Sequence, residues 1–285
     1  NYNKYYYVTV NIWYPILVNN NLEVTFIDVG QGDAIYIKTP KGKNLMIDSG
    51  GLPDYYEGDF DTGKDIILPF LRHKKAKKLD VVFISHIHDD HIKGFIPVSD
   101  EMKIDYFIQA PQMVSTCNYD LLKDELSRNQ TSIITMSKGE HIKIEEELEM
   151  YILHPDIDWI KKYPLDLNDN SMVIMMRYRD VKFLFTGDIE SMAEHEIVKG
   201  FGSGLKTDVL KVAHHGSITS TTESFIKNAE PQIAVISVGQ NSFGHPHEDI
   251  INRIEAVNGK IFRTDMCGAI TVITDGNKII VKQQL

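Results

Sequence analysis

The stretch His86-Ile87-His88-Asp89-Asp90-His91 decides the fold prediction. It directly follows Val81-Val82-Phe83-Ile84-Ser85, an apolar run rich in β-branched residues that predicts a buried strand. Neutral imidazole is the commonest nitrogen ligand of zinc and related ions, and Asp supplies a hard oxygen. So many such groups at a strand end would repel one another and lose hydration unless a cation lay among them. A polar loop with scattered histidines is the alternative, but this order of residues is unusual for a plain loop.

The whole chain has an ordinary globular composition. Its 285 residues are 42% hydrophobic and 25% charged, which is enough for one large core or two small ones. Cys117 and Cys267 are too few for a disulfide scaffold, so we expect small buried or partly buried thiols. The net charge of −10 does not favour a strong general affinity for nucleic acid, although bound metal ions would offset charge locally.

The N-terminal segment is rich in aromatic residues and is predicted separately from the rest. The first residue is Asn1 rather than Met, and residues 5–18 carry most of the aromatic side chains. Aromatic residues favour membrane interfaces, so this segment could follow a removed membrane anchor. An edge strand or an ordered tail is an equal alternative. We therefore predict residues 1–21 as a tail or extra strand and residues 22–285 as one domain.

The remaining chain reads as two halves of similar organisation. Residues 22–48 alternate in hydrophobicity and predict a β-meander, and Thr62 is a candidate N-cap for a helix at 64–73. Residues 172–185 predict a hairpin that opens the second half. Each half begins with strands and continues with strands that alternate with helices. Two mixed sheets packed face to face, with helices outside, would bury both halves in one α/β (α+β) domain.

Three further strand ends carry residues that could face a metal ion. Asp188 follows an apolar strand through Gly187, and it could either bind a metal or cap the next helix. His214 and His215 are adjacent and point in different directions, so one could bind a metal while the other faces substrate. His247 could cap a helix, but either it or His245 could contact substrate or protonate a leaving group. The sequence leaves the choice within each of the two histidine pairs open.

The histidine stretch resembles the HxHxDH signature of the metallo-β-lactamase superfamily. Further segments resemble the metallo-hydrolase domain of the ComEC competence proteins, in the family's order and over about residues 22–282. These segments are Phe26–Ala34, Asn168–Ser171, Thr186–Glu190, Leu210–Ser217 and Phe243–His247. The resemblance implies a four-layer αββα sandwich of metallo-β-lactamase type, with the metal site at one rim of the two sheets.

The resemblance also implies roles for individual residues. The implied metal ligands are His86, His88, Asp90, His91, Asp188 and one of His214 and His215. Asp48 matches an Asp that orients the histidine loop by hydrogen bonds, and Asp28 and Asp33 would shape the rim nearby. Where many superfamily members place another His, this chain has Asn168-Asp169-Asn170-Ser171. We consider His154, Asp169 and Asn170 as replacements, so one or two ions are expected.

A metal-activated water would make the protein a hydrolase, and the ComEC resemblance implies a phosphodiesterase or nuclease that acts on DNA. The candidate catalytic residues are Asp90, His215 and His247, and the candidate substrate-binding residues are Asn170, Ser171, Ser217 and His245. The ion would be Zn²⁺ or Mn²⁺. The resemblance further implies a membrane channel partner or a removed anchor, and an extracytoplasmic or secreted location. The alternatives are a hydrolase of a lactone, a β-lactam or another phosphoester, which the acidic charge favours, and a non-catalytic binding module.

Overall fold

A computed structural model of the protein describes residues 21–52 and 58–284. The aromatic segment at residues 5–18 lies outside these residues, so its assignment as a tail or strand stays a prediction. Within the described part of the chain, no helix is both long enough and apolar enough to span a bilayer.

The first sheet has eight strands. They are β1 (Leu22–Phe26), β2 (Ala34–Lys38), β3 (Asn44–Ser49), β4 (Leu79–Phe83), β5 (Ile104–Gln109), β6 (Ser132–Thr135), β14 (Ala269–Thr274) and β15 (Ile279–Gln284). Their order in the sheet is β15-β14-β1-β2-β3-β4-β5-β6. Strands β3 to β6 pair in parallel, whereas β14, β1 and β2 pair with their neighbours in antiparallel fashion.

The second sheet has seven strands. They are β7 (His141–Glu145), β8 (Leu148–His154), β9 (Val173–Tyr178), β10 (Val181–Phe185), β11 (Val209–Lys211), β12 (Ile233–Ile236) and β13 (Lys260–Arg263). Their order is β13-β12-β11-β10-β9-β8-β7. Strands β10 to β13 are parallel, so the ends of β10, β11 and β12 that lead into the predicted site loops lie at the same edge.

Nine helices accompany the sheets in the described residues. They are α1 (Leu68–His73), α2 (Asp89–Ile92), α3 (Phe95–Glu101), α4 (Cys117–Arg128), α5 (Ile157–Lys162), α6 (Ser191–Phe201), α7 (Glu223–Ala229), α8 (Glu248–Ala256) and α9 (Thr264–Cys267). A π-helical turn at Gly63–Ile67 leads into α1, and short 3₁₀ turns lie at Gly202–Leu205 and Ala213–Gly216.

Three apolar clusters define four layers. Side chains such as Phe26 and Phe83 of the first sheet pack against Phe183 and Phe185 of the second. Helices α1 to α4 pack on the outer face of the first sheet. Helices α6 to α8 pack on the outer face of the second sheet. The predicted αββα sandwich is therefore confirmed, because each sheet buries one face on its partner and the other face under helices.

Local predictions differ from the structure at three places. Thr62 already has helical dihedral angles, and its side chain makes no capping hydrogen bond. Asp61 caps instead, because its carboxylate accepts from the backbone N–H of Lys64 at 3.0 Å. The short helices α5 and α9 were absent from the sequence prediction. Both have only a few residues, too few for a helical period to show in the sequence.

Candidate metal centre

Four side chains converge at the rim where loops from both sheets meet. Asp90 and His91 lie on α2, after strand β4 of the first sheet, whereas Asp188 and His215 follow strands β10 and β11 of the second. One ligand atom from each of the four lies within 4.8 Å of the other three. Nε2 of His215 lies 3.2 Å from Asp188 Oδ2 and 3.4 Å from Asp90 Oδ2. Nε2 of His91 lies 3.3 Å from Asp188 Oδ2 and 3.8 Å from Asp90 Oδ2.

These spacings fit a divalent metal ion. A tetrahedral zinc site with ligand bonds of about 2.0–2.1 Å places neighbouring ligand atoms roughly 3.3 Å apart. The Nε2 atoms of His91 and His215 are buried and have no aligned hydrogen-bond partner among the described residues. Buried polar atoms rarely stay unpartnered, so two such atoms aimed at one point indicate a cation site. The cluster can therefore hold a metal ion through two imidazoles and two carboxylates.

Asp48 fixes the orientation of His91. Its Oδ2 accepts from His91 Nδ1 at 3.0 Å, and its two oxygens also accept from the backbone and hydroxyl of Ser85 at 2.7 Å each. With the proton on Nδ1, the lone pair of His91 Nε2 faces the ion position. Asp48 has a positive φ of +57°, an uncommon backbone conformation that helps to place this carboxylate at the Nδ1 edge of the ring. Asp48 thus makes hydrogen bonds that can orient both His91 and the start of the histidine loop.

His215 is oriented in the same way by the second sheet. Its Nδ1 donates to the carbonyl of Ser237 at 2.9 Å, which leaves Nε2 free to bind a metal. His214 and His215 both have left-handed backbones, with φ of +48° and +52°. This turn places the two rings in different directions. The structure therefore selects His215 as the member of the pair that joins Asp90, His91 and Asp188.

His86 and His88 form a second, smaller imidazole pair. His86 Nε2 and His88 Nδ1 lie 2.9 Å apart, and the rings of His86 and His91 have centroids 4.1 Å apart. The buried His86 ring is also held at Nδ1 by the hydroxyls of Ser85 and Ser171, at 3.0 and 3.2 Å. No third His, Cys or carboxylate joins this pair in a ligand group of the described residues. The described residues thus form one four-ligand group, a second group of Asp33, Asp48 and His91, and the imidazole pair beside them.

Gly187 lets the two sheets approach at this point. It has φ of +53°, and a Cβ there would lie 2.7 Å from the Cβ of Ser85 and 2.8 Å from that of Ser171. Such distances are too short for any side chain, so only glycine fits. The backbone N–H of Asp188 donates to Ser171 Oγ at 3.1 Å. The loop therefore delivers Asp188 directly against the histidine loop of the other sheet.

Lys211 is a site residue that the sequence prediction missed. It lies in β11 and is only 1% exposed, and its Nζ contacts Asp33 Oδ2 and lies 3.0 Å from the carbonyl of Gly187. The same Nζ lies 3.5 Å from Asp188 Oδ1. A lysine within an otherwise apolar strand was the available signal, because a buried ammonium requires an anionic partner.

His214 faces the mouth of the cluster. Its side chain is 21% exposed, its Nδ1 lies 3.1 Å from Glu190 Oε1, and its Nε2 lies 3.9 Å from Asp188 Oδ2. The ring of His245 lies edge to face with His214 at 5.5 Å between centroids. Glu190 lies beside the Nδ1 edge of the His214 ring, and the Nε2 edge faces the cluster. His214 is thus placed to exchange a proton with a group bound there.

Three other predicted site residues make hydrogen bonds that stabilise loops and a helix end of the protein itself. His247 lies at the N-cap of α8, where its Nδ1 accepts from the backbone of Asp249 at 3.2 Å, so the capping alternative holds in the structure. Asn170 is buried and donates to the carbonyl of Tyr163 at 2.9 Å. Ser217 is buried and pairs with Thr219 at 2.9 Å.

The structure differs from the substrate-binding role predicted for three residues. Direct substrate contact does not fit the buried side chains of Asn170, Ser171 and Ser217, since their described hydrogen bonds position loops instead. Asp28 accepts from the backbone N–H of Gly30 at 3.2 Å and shapes the turn that precedes Asp33. His245 remains partly exposed beside His214.

His154 does not replace the missing imidazole. Its Nε2 donates to the carbonyl of Asp169 at 2.7 Å, and its ring packs edge to face on Trp159. Burial lowers the pKa of His154 to about 4, so it is neutral at pH 7. The Asp169 carboxylate accepts from the backbone N–H of Glu190 at 2.5 Å. Both residues support the loop behind the cluster and do not enter it.

The acidic and basic groups of the cluster stabilise one another's charged forms, which shifts their pKa values. Burial alone would raise the pKa of Asp188, but the imidazoles of His215 and His91 and the ammonium of Lys211 lower that pKa well below its ordinary value. Burial alone would lower the pKa of His215, but the carboxylates of Asp188 and Asp90 raise it to about 10. His215 is thus protonated at pH 7 when no metal ion is bound.

The chain is similar in sequence to known proteins. The family model described as "Metallo-beta-lactamase superfamily" matches residues 27–240. ComE operon protein 3 of Bacillus subtilis (strain 168) is 30% identical over 266 residues, covering 90% of this chain and 33% of the relative. Competence protein ComA of Neisseria gonorrhoeae is 27% identical over 252 residues, covering 88% of this chain and 32% of the relative. The chain therefore spans about a third of the length of these relatives.

A solved structure has the same fold. The crystal structure of the metallo-β-lactamase fold protein YhfI from Bacillus subtilis aligns with a TM-score of 0.55 at 11% identity. The alignment covers 87% of this chain and 98% of that one.

Proposed function

The chain belongs to the metallo-β-lactamase superfamily, and we propose that this metal-dependent hydrolase is a phosphodiesterase that cleaves DNA. The observation that carries the proposal is the convergence of Asp90, His91, Asp188 and His215 on one metal-sized position. The hydrolase class follows from the superfamily and from this cluster. The choice of DNA rests on the competence proteins that the chain resembles and is the part that needs a test.

The ligand set suits the chemistry of phosphodiester cleavage. Asp90, His91, Asp188 and His215 would hold the ion, and His86 and His88 would offer a weaker second position. A bound divalent ion makes water nucleophilic near neutral pH and offsets the charge on the non-bridging oxygens of a phosphate. Imidazole with carboxylate suits zinc, and manganese is the competitor. This chain's own residues then have to orient the substrate and supply a proton to the leaving oxygen.

His214 is the proposed proton donor. Its Nε2 edge faces the cluster and its Nδ1 edge lies 3.1 Å from Glu190 Oε1. The Glu190 carboxylate beside Nδ1 helps to keep the ring in one orientation, as proton transfer to a leaving oxygen requires. Thr219 also donates its hydroxyl to Glu190 Oε1 at 3.0 Å, which fixes the carboxylate. We therefore assign this role to His214 in place of His247, which caps a helix.

The acidic charge of the chain bears on the substrate. A net charge of −10 gives no general attraction for a polyanion. Divalent ions at the rim would reverse the local sign, so phosphate could still bind at the centre. A small uncharged substrate such as a lactone or β-lactam would need no such reversal, and it is the second candidate. We also propose a membrane channel partner and an extracytoplasmic location, which the resemblance alone supports.

A substrate panel tests the function. The purified chain, loaded with Zn²⁺ or with Mn²⁺, is incubated with single-stranded DNA, double-stranded DNA, bis-p-nitrophenyl phosphate, a lactone and a β-lactam. We expect cleavage of DNA and of the phosphodiester, and loss of both in His215→Ala. The matched control is His195→Ala, since His195 lies on α6 outside the cluster. Turnover of the lactone or β-lactam without cleavage of any phosphodiester would refute the proposal in favour of the second candidate.

A further inference from the structure

A mostly exposed aromatic side chain lies in one of the loops that reach the candidate metal centre. Phe243 is in the loop that follows β12, and 68% of its surface is exposed. Large apolar side chains normally contribute to the core, and an isolated exposed one by itself needs no explanation. The position of Phe243, however, is held by the surrounding loop and is connected to the site through two other rings.

The loop is braced from inside. The side chain of Asn241 accepts from the backbone N–H groups of Phe243 and His245 at 3.1 and 3.0 Å. Its amide donates to the carbonyls of Gly239 and His245 at 2.8 and 2.9 Å. One side chain thus closes the loop with four hydrogen bonds, which fixes the backbone that carries Phe243. A side chain presented by a fixed backbone loses less entropy on binding.

A series of ring contacts connects Phe243 to the cluster. The rings of Phe243 and His245 are tilted by 31° with centroids 5.6 Å apart. The ring of His245 contacts that of His214 at 5.5 Å, and His214 Nε2 lies 3.9 Å from Asp188 Oδ2. His245 is also held from the other side by Gln31, at 3.5 Å from its Nδ1. The exposed face of Phe243 is therefore two ring steps from the proposed proton donor.

We infer that Phe243 is a stacking platform for a nucleobase of the strand being cleaved. The inference rests on the proposed DNA-cleaving function and names the part of the substrate that this rim contacts. A phosphate bound at the cluster beside His214 would leave an adjoining base near the His245 and Phe243 rings. Aromatic side chains bind bases through their faces without selecting a sequence, because every base has a π-face.

Stacking also compensates for the charge of this chain. Proteins that bind single-stranded nucleic acid usually combine a basic groove with aromatic side chains. A chain with a net charge of −10 cannot rely on many phosphate contacts. An aromatic contact to the base does not depend on charge, so Phe243 would supply affinity where the phosphate backbone cannot. The inferred preference is for single-stranded substrate, whose bases are free to stack.

Paired substrates test this inference. One is a single-stranded oligonucleotide, and the other has the same backbone with abasic residues in place of all bases near the scissile position. KM and kcat are measured on both with the metal-loaded wild type, Phe243→Ala and Phe243→Trp. The control is Tyr106→Ala, which removes another exposed aromatic ring, 48% exposed, from strand β5. Thermal unfolding of every variant checks that the fold is kept.

We expect Phe243→Ala to raise KM for the normal oligonucleotide by roughly tenfold, with little change in kcat. The same substitution should leave KM for the abasic oligonucleotide unchanged. Phe243→Trp should have the KM of the wild type on both oligonucleotides, and so should Tyr106→Ala. Equal effects of Phe243→Ala on both oligonucleotides, or no effect on either, would overturn the stacking role while DNA cleavage stands. A wild type that cleaves neither oligonucleotide would overturn the proposed function and this inference together.

Discussion

The ammonium of Lys211 lies 3.5 Å from Asp188 Oδ1, while the other oxygen of Asp188 faces His91 and His215. One carboxylate thus contacts a permanent cation through one oxygen and the candidate metal position through the other. Lys211 also contacts Asp33. A buried lysine with two carboxylate neighbours offsets part of the negative charge that this cluster concentrates, and does so before any metal ion binds.

Replacing Lys211 with Met should destabilise the metal-free protein strongly. The substitution leaves Asp33 and Asp188 buried near each other without their cation, and breaking a buried pair costs about 3–5 kcal/mol. Urea unfolding in the presence of a chelator measures this free energy. The control is Lys206→Met, since Lys206 pairs with Glu230 at the surface and should contribute less than about 1 kcal/mol. A metal-free Lys211→Met protein as stable as Lys206→Met would contradict the assigned role.

Replacing Asp48 with Asn should weaken metal binding without removing a ligand. The amide no longer fixes the proton on Nδ1 of His91, and loss of such an orienting group costs roughly 10- to 100-fold in metal affinity. Competition with a chromophoric chelator measures the dissociation constant of Zn²⁺. Asp28→Asn is the matched control, because Asp28 hydrogen-bonds only within its own turn in the described contacts. Equal affinities for the two variants would exclude the orienting role.

The adjacent residues His214 and His215 should separate binding from proton transfer. His215→Ala should lose the tightly bound ion, since it removes one of four converging ligands. His214→Ala should keep its ion, while kcat on DNA falls roughly 10²- to 10⁴-fold, as for loss of a general acid. Metal analysis after gel filtration and steady-state kinetics give the two readouts. Loss of metal from His214→Ala, with His215→Ala retaining it, would reverse the assignment.

Metal binding should release protons. With its pKa at about 10, His215 is protonated at pH 7 in the metal-free protein, and a metal ligand must be neutral. The raised pKa stabilises the metal-free fold fully below about pH 6.5, and this contribution is lost as the pH rises toward 10. Zn²⁺ affinity should therefore rise with pH. Titration calorimetry at pH 7 in two buffers of different ionisation enthalpy counts the protons, and a count of zero would contradict this picture.

His154 should cause a loss of stability in acid. Its folded pKa of about 4 lies below the unfolded value of about 6.5, so the unfolded state binds the proton first as the pH falls. The neutral ring thus stabilises the fold above about pH 6.5, and on the order of 3 kcal/mol is lost as the pH falls through 4. His154→Gln keeps an N–H donor for Asp169 but does not titrate, so its stability should fall less over this range. The free energy of unfolding of both proteins is measured at pH 7 and pH 4.5. An equal loss in the wild type and in His154→Gln would disprove the contribution.

The fold was largely predictable because its strands alternate or run apolar between clear turns. Segments such as the meander at 22–48 and the hairpin at 172–185 have a hydrophobic pattern that is typical of strands with one or both faces buried. The strand ends also showed where chemistry is concentrated, since Asp188 and the histidine loop both follow buried strands. These features depend on residues that are neighbours in the sequence, so the local sequence pattern is enough to predict them.

The parts that were wrong or open depend on contacts distant in sequence. His247 and His214 are both His residues after a strand, and only the tertiary position of Glu190 distinguishes the cap from the candidate proton donor. The partners of Lys211 are 178 residues away at Asp33 and 23 residues away at Asp188. The sequence leaves His154 as a candidate ligand, and its hydrogen bond to the Asp169 carbonyl is a tertiary contact that the sequence pattern does not reveal. Side-chain roles that depend on packing between the two sheets cannot be predicted from the sequence pattern of a single strand.

The ligands of the candidate centre are divided between the two sheets, and this has a mechanical consequence. Asp90 and His91 belong to the first half of the chain, and Asp188 and His215 to the second, so neither half owns a complete set. An ion bound to all four would link the two sheets of the sandwich through coordination bonds. Neither sheet could then melt by itself without breaking coordination bonds, so the loaded protein would open in a single cooperative step, more sharply than the bare polypeptide.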